Sequence, residues 1–371
     1  MRILLVTDRF SVGVLDLAAF YTKHGCTVDC VLTSQLHSVN REYSVVGFSL
    51  FGFVGSTDSV VIKLSKIAKS LKHKFSNSKI WLGGRALSLL SAADITKIKT
   101  LADCDIVCTT DGESIMTSTV DFKTYPAWIC RHIEQLRGKD RRAGVVCVQS
   151  ARGCVYSCNF CHKAQPLHYF APERTALNIK FTNDIVQFPD ILDDIFTLNP
   201  EHMRNIRLEL DRLKVAYKRK MLFFTHVKHR TENEMLLFDP KEVQIGIESG
   251  DDRILTLMNK KTTRAENKEA VVRLGKILPG RLTGLFLIGY PGENEASLKN
   301  TLSFIQETRQ YYRKVWVSYY VPIPNTVGMT QALANGSFID HERPGREIAY
   351  IDRQLTEDCL RTYREAMMKS V

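Results

Sequence analysis

Apolar residues in the first third of the chain fall into short continuous runs, separated by longer stretches with helical spacing. Ile3–Val6, Thr27–Leu32, Val45–Leu50, Lys79–Leu82 and Ile106–Cys108 read as strands, with helices at Leu15–His24, Ser56–Lys74 and Leu87–Lys99. Continuous apolar runs mean burial on both faces, so a parallel sheet covered by helices is expected. Polar or glycine-bearing turns follow the strand ends at Asp8–Gly13, Ser49–Ser56, Gly83-Gly84 and Asp111-Gly112-Glu113. Open parallel sheets bind ligands at the carboxyl ends of their strands, which makes these turns one candidate site. The alternative is that they only connect.

Between 121 and 144 the pattern breaks up around Tyr125-Pro126 and the charged stretch Arg137–Arg142, and this segment reads as a linker. A second alternating series follows. Its strands are expected at Val145–Val148, Asn178–Phe181, Met221–Thr225, Glu242–Ile247, Leu282–Ile288 and Val315–Tyr320. Helices are expected at Pro200–Lys220, Thr263–Leu278 and Glu295–Tyr311, and the tail from Arg346 to Val371 reads as helical. Six strand-and-helix units suit a curved or partly closed barrel. The fold class is therefore α/β: a doubly wound parallel-sheet domain over 1–120, a linker over 121–144, a partial (β/α)6 barrel over 145–330 and a helical extension over 331–371.

Composition narrows the class. The 371 residues are 44% hydrophobic and 25% charged, as in ordinary globular domains, and no apolar run reaches the length of a membrane span. Met1 to Asp8 reads as a strand and lacks the features of a signal peptide, so an intracellular, cytoplasmic protein is expected. Ten cysteines in so long a chain are not a disulfide scaffold, and closely spaced ones point to metal ligation or catalysis. The net charge of +11 suits an anionic partner, including nucleic acid, although basic runs such as Lys63–Lys74 also fit a solvated helix face.

The densest chemistry is Arg152-Gly153-Cys154-Val155-Tyr156-Ser157-Cys158-Asn159-Phe160-Cys161, directly after a strand. Three thiolates on one short loop are iron–sulfur ligands by type. With three ligands, a four-iron cluster keeps one iron open for an exogenous chelating group. Zinc would need a fourth Cys or His, which His162 supplies on spacing alone. The pairs Cys26/Cys30 and Cys104/Cys108 flank strands, where cysteines are usually small buried hydrophobes.

Arg152 to Cys161 closely resembles the R-G-C-x-x-x-C-x-F-C signature of radical S-adenosylmethionine enzymes, and the resemblance extends over 145 to about 330. Gly246-Ile247-Glu248-Ser249-Gly250 looks like that family's fourth-strand segment, and Gly289-Tyr290-Pro291-Gly292-Glu293 like the turn after its fifth strand. Pro322-Ile323-Pro324-Asn325-Thr326 is similar to the segment after the sixth, with Asn325 where glycine is usual. The resemblance implies that Cys154, Cys158 and Cys161 hold three irons of a [4Fe–4S] cluster and carry the catalysis. It further implies that Phe160 packs on the adenine of S-adenosylmethionine, and that Gly246, Glu248, Ser249, Gly289 and Pro291 lie around the cosubstrate. A 5′-deoxyadenosyl radical and an external electron donor such as flavodoxin or ferredoxin follow from the same resemblance.

Residues 1 to about 118 resemble the cobalamin-binding domain of one branch of this superfamily. Val46–Leu50, Leu82-Gly83-Gly84 and Asp105–Glu113 carry the likeness, and it implies contacts from Ser49, Leu50, Gly83, Gly84, Asp111, Gly112 and Glu113. Many such domains carry D-x-H-x-x-G after the first strand. Here Phe10 stands at the histidine place, and a phenylalanine has no lone pair to give cobalt, so no histidine of this loop ligates it.

The function expected is cobalamin-dependent methylation of an unactivated carbon in a small-molecule or peptide substrate. One rival is a non-methylating radical reaction on the same architecture. The other is a nucleic-acid-binding protein with a structural cluster. Transfer-RNA methylthiotransferases share the central signature but use three further amino-terminal cysteines and a carboxyl-terminal RNA-binding barrel, neither of which is evident here. Polar groups expected near the barrel mouth are His162, Asp184, Tyr290, Tyr319 and Tyr320.

Overall fold

The structure is a computed structural model that describes residues 1–7, 12–50, 57–84, 87, 90–102, 104–109, 112–117, 121–128, 132, 134–135, 147–162, 166–183, 190–218, 221–339 and 347–371. The chain divides into two compact units, Met1–Gln149 with Tyr169–Pro189, and Ser150–His168 with Asp190–Val371.

In the first unit, strands β1 (Arg2–Thr7), β2 (Thr27–Leu32), β3 (Val45–Ser49), β4 (Lys79–Gly83) and β5 (Ile106–Val107) form a parallel sheet in the order β2-β1-β3-β4-β5. Ile3, Leu4 and Val6 are fully buried, as expected of a strand covered on both faces. Helices α1 (Val12–Lys23), α2 (Thr57–Lys74) and α3 (Ala92–Ala102) accompany the sheet. Along α2, Leu64, Ala68 and Leu71 recur at helical spacing in the core that also contains Leu4, Val46 and Ile80. The helix expected from Leu87 starts at Ala92 instead, because Ser91 and Asp94 cap each other's backbone N–H groups.

Asn178–Phe181, expected as a strand, belongs to helix α4 (Pro172–Asn183). Alternation of apolar and polar residues over that short stretch imitates a strand. Over the longer span Thr175, Asn178, Ile179 and Thr182 share one buried helical face, and the proline opens the first turn. This helix clusters with the first unit rather than the second. Its Arg174 pairs with the buried Asp16, while Asn178 Oδ1 accepts the Trp128 N–H at 2.8 Å. Tyr125 and Trp128, within the stretch expected as a linker, are buried in the same unit.

The second unit contains a parallel sheet in the order β6 (Leu222–Thr225), β7 (Glu242–Glu248), β8 (Leu282–Ile288), β9 (Lys314–Tyr319). These match four of the expected strands to within a residue or two. Helices α5 (Pro200–Arg212), α6 (Glu232–Phe238), α7 (Asp252–Leu257), α8 (Arg264–Ile277) and α9 (Glu295–Thr308) alternate with them. Helix α5 stops well short of the expected Lys220. Lys214 turns left-handed at φ 53°, and the Val215 N–H closes on the Leu210 carbonyl at 2.9 Å, a Schellman stop. The tail is only partly helical. After α10 (Val327–Asn335), strands β10 (Gly336–Phe338) and β11 (Tyr350–Asp352) pair antiparallel before α11 (Glu357–Lys369). Helix α11 packs over the unit as expected, its Arg364 Nε donating to the Val317 carbonyl at 2.9 Å. Among the described residues no helix is long and apolar enough to cross a membrane.

Candidate functional site

The cysteine loop of the second unit follows Gly153, whose φ of 89° only glycine adopts freely. It is held by its middle residues. Asn159 donates its backbone N–H to Met258 O and its side-chain amide to Leu257 O, each at 2.8 Å. Asn259 donates back to the Ser157 carbonyl at 2.8 Å, and Gly328 N–H reaches the Asn159 carbonyl at 2.8 Å. The last contact satisfies a first-turn donor of α10 that has no intrahelical partner. Between these anchors the cysteines keep different exposures: Cys154 and Cys158 are half-buried and Cys161 is exposed.

Phe160 lies against an apolar cluster of Ile254, Met258, Tyr290, Tyr320 and Tyr350. Tyr290 and Tyr320 meet edge to face at 4.9 Å, and the Tyr290 hydroxyl bonds Gln331. On another side of the loop, the Tyr156 ring stacks on His226 at 4.1 Å and its hydroxyl pairs with His229 Nε2 at 3.2 Å. The Lys228 N–H is 3.3 Å from His226 Nδ1, so the proton of that ring sits on Nε2. Burial, helped by Lys260 and His229, depresses His226 to about 3 and keeps it neutral.

Strand β7 delivers the next group. Its register shifts between Gly246 and Glu248, a bulge that turns Glu248 toward Lys260 with 2.9 Å between Oε1 and Nζ. Burial raises the Cys158 thiol pKa, and the Lys260 ammonium works against that rise. Burial opposes the lysine's own charge, but Glu248, Cys158 and Cys161 outweigh it and hold Lys260 above the ordinary range.

The other expected residues divide. Gly246 and Glu248 stand with the loop around Lys260. Ser249 turns away, fully buried, its hydroxyl 3.1 Å from Thr301 on α9. Gly289 has φ 79° and donates its N–H to the buried Glu293, whose carboxyl burial pushes up to about 8. Pro291 is buried beside it. Tyr290, Tyr319 and Tyr320 are buried, Tyr290 and Tyr320 within the cluster behind Phe160. His162 is half-buried, and Asp184 lies outside the described residues.

At the carboxyl edge of the first unit's sheet, Ser49 and Gly83 are partners in register and half-exposed. A Cβ on Gly83 would meet only Cys108 Cβ, at 3.8 Å, so the edge there is low. Gly84, at φ 110°, packs backbone to backbone on Leu50, where a Cβ would stand 2.4 Å from the Leu50 carbonyl oxygen. Gly112 presses on Leu17 and accepts from the Tyr21 hydroxyl at 2.7 Å, and Glu113 is buried against Tyr125. Asp111 and Phe10 lie outside the described residues. Cys26, Cys30 and Cys108 are buried.

Among the described residues no three His, Cys, Asp or Glu side chains gather closely enough for a single metal ion. Three sulfurs that each meet a different iron of one cluster need no such convergence. The soft donor set fits an iron–sulfur cluster. Sequence reading did not find Lys260, Asn159, Asn259 or Tyr156. His226 had a signal, since it follows directly on a strand's carboxyl end.

Residues 148–305 match the radical SAM superfamily. That stretch of the chain is similar to the superfamily. Among curated relatives, a tRNA-2-methylthio-N(6)-dimethylallyladenosine synthase of Wolbachia pipientis wMel is 29% identical over 123 residues, 33% of this chain and 27% of that protein. The match thus spans about a quarter of the relative's length. Among solved structures, the radical SAM methyltransferase TsrM of Kitasatospora setae, with cobalamin and a [4Fe–4S] cluster bound, matches with TM-score 0.72 and 12% identity, over 100% of this chain and 91% of that one. The cobalamin-dependent radical enzyme OxsB, with aqua-cobalamin and S-adenosylmethionine bound, matches with TM-score 0.65 and 18% identity, over 89% of this chain and 54% of that one. The chain therefore shares the fold of these two cobalamin-dependent enzymes, with its parallel-sheet first unit included.

Proposed function

We propose that this chain is a radical SAM enzyme that binds a [4Fe–4S] cluster through Cys154, Cys158 and Cys161 and uses cobalamin to methylate an unactivated carbon of a small-molecule or peptide substrate. The observation that carries the reading is the three-thiol loop docked beside the carboxyl ends of parallel strands, in a chain that also has the parallel-sheet unit of cobalamin-dependent relatives. When bound, the cluster supplies one electron to the sulfonium of S-adenosylmethionine and one open iron to its amino and carboxylate groups.

The protein's part is placement and exclusion of water. Phe160, backed by Tyr290 and Tyr320, offers an apolar wall for the adenine, and the Gly289 turn shapes its rim. Glu248, aimed by the bulge, stands ready for a polar group of the cosubstrate. On the first unit, Ser49 and Gly83 would hold the corrin at a low sheet edge, while Gly84, Gly112 and Glu113 support the surrounding turns. Cobalamin, when bound, supplies the transferable methyl group.

The test is anaerobic reconstitution with cobalamin present, then iron and cobalt analysis and product assay under a low-potential reductant. Iron and cobalt together, with both 5′-deoxyadenosine and S-adenosylhomocysteine formed, is the expected result. Iron without cobalt, and 5′-deoxyadenosine alone, would move the enzyme to the non-methylating class. Zinc in place of iron would end the radical reading. The tRNA-modifying relative favours a second reading, thiomethylation of an RNA base, which mass spectrometry would reveal as sulfur in the RNA product.

A further inference from the structure

Lys260 is 5% exposed, deep for a lysine, and pairs with Glu248 at 2.9 Å. The backbone around this pair is contorted to make it. Glu248 sits at φ 67°, and the residues on either side of the lysine, Asn259 and Lys261, sit at φ 52° and φ 62°. Left-handed non-glycine residues are strained, persist where the surroundings enforce them, and concentrate at functional sites. Gly246 clears the space: a Cβ there would stand 2.6 Å from Glu248 Oε1 and 3.0 Å from Lys260 Nζ. Asn259, one residue before the lysine, grips the cysteine loop at the Ser157 carbonyl, which fixes Lys260 relative to the sulfurs. The ammonium also lies 6.0 Å from the centre of the Phe160 ring.

The pair has a direction. Cys158 feels the lysine more strongly than the glutamate, and Cys161 also couples to the lysine. Phe160, whose ring the ammonium approaches, lies between those two cysteines on the loop, so the lysine's charge stands beside the segment that carries them.

We infer that Lys260 is a positioning residue for the iron–sulfur site, its buried ammonium offsetting the negative charge on the Cys158 and Cys161 sulfurs and favouring the reduced state of the cluster. The inference rests on the proposed role of the three cysteines as cluster ligands. In the step concerned, the oxidised cluster gains one electron from an external low-potential donor, and no covalent bond forms or breaks. The added negative charge falls where a fixed cation in a poorly solvated site acts most strongly, and cluster potentials follow local charge and hydrogen bonding.

The experiment is a potentiometric titration of reconstituted protein, followed by low-temperature paramagnetic resonance of the reduced cluster, without turnover. Lys260→Met is expected to lower the reduced-to-oxidised ratio about tenfold at fixed potential, a midpoint fall of ~59 mV for a one-electron couple. Lys260→Arg keeps the charge and should stay close to wild type. Glu248→Gln removes the opposing charge and should move the midpoint upward. Opposite signs at the two ends of one ion pair are not what structural damage would give. An unchanged midpoint in Lys260→Met, or movement of both single variants in the same direction, overturns the inference. If Lys260→Met does not hold a cluster, the upward shift in Glu248→Gln decides alone. A wild-type protein that reconstitutes no iron–sulfur cluster overturns the ligand assignment, and the inference falls with it.

Discussion

Gly328→Ala should loosen the cysteine loop while leaving the rest of the fold in place. A Cβ at this position would stand 2.5 Å from the Tyr320 hydroxyl and 2.7 Å from the Asn159 carbonyl oxygen. Tyr320 is fully buried and has nowhere to go, so the loop and the start of α10 must separate. Overpacking of this kind costs about 1–3 kcal/mol. Losing the 2.8 Å bond from Gly328 N–H to Asn159 O adds about 0.5–1.5 kcal/mol. Alanine returns about 0.5–1 kcal/mol through its better helix propensity. The balance is a local loss of about 2 kcal/mol. Hydrogen exchange reads it directly, because the Asn159 amide is protected by its bond to Met258 O. Exchange at residues 157–161 should quicken about thirtyfold, with β2 and β3 of the other unit unchanged. Iron incorporation on reconstitution should fall in parallel. Equal protection in variant and wild type, or faster exchange spread evenly over both units, would refute the idea that α10 clamps this loop.

Replacing any one of Cys154, Cys158 or Cys161 by alanine should abolish iron–sulfur absorbance after reconstitution while the circular dichroism spectrum persists; cluster retention in all three would remove them as ligands. Arg174→Met removes the guanidinium that pairs with the buried Asp16 and should destabilise the first unit by about 3–5 kcal/mol, measured by urea unfolding. Adding Asp16→Asn should recover most of that loss, since an amide oxygen still accepts from Trp128 Nε1. Glu293, raised by burial to about 8 from 4.5, holds a proton when folded that the unfolded chain has released. Its contribution to stability is therefore fullest below pH 4.5 and declines as pH rises toward 8, by at most about 1.4 kcal/mol per pH unit. Melting temperatures from pH 5 to 8 should fall more steeply for wild type than for Glu293→Gln, and parallel curves would contradict the assignment.

The strands of both sheets were legible because continuous apolar runs such as Ile3–Val6 and Leu282–Ile288 have no other good use in a globular chain. The cysteine loop stood out in the sequence because three closely spaced thiols are iron–sulfur donors by type. Residues 178–181 were misread because a short window sees alternation before it sees the longer helical face of α4. Lys260 left no trace at all. Its position depends on a bulge in β7, on two left-handed neighbours and on the absence of a side chain at Gly246, none of which is a local property of the lysine. Gly84 and Gly112 were noted as turn residues, but their work is close packing against Leu50 and Leu17, which only tertiary structure reveals.

The two separate stretches of chain that make the first unit set a timetable for synthesis. On the ribosome, Asp16 emerges 158 residues ahead of Arg174, the partner that neutralises it. Residues 150–168, with all three thiols of the cysteine loop, are translated before that partner, so the first unit cannot mature ahead of the loop. Nascent chains arrested near residue 150 should be open to protease in β1 and α1, and chains arrested far enough downstream to expose all of α4 should resist it.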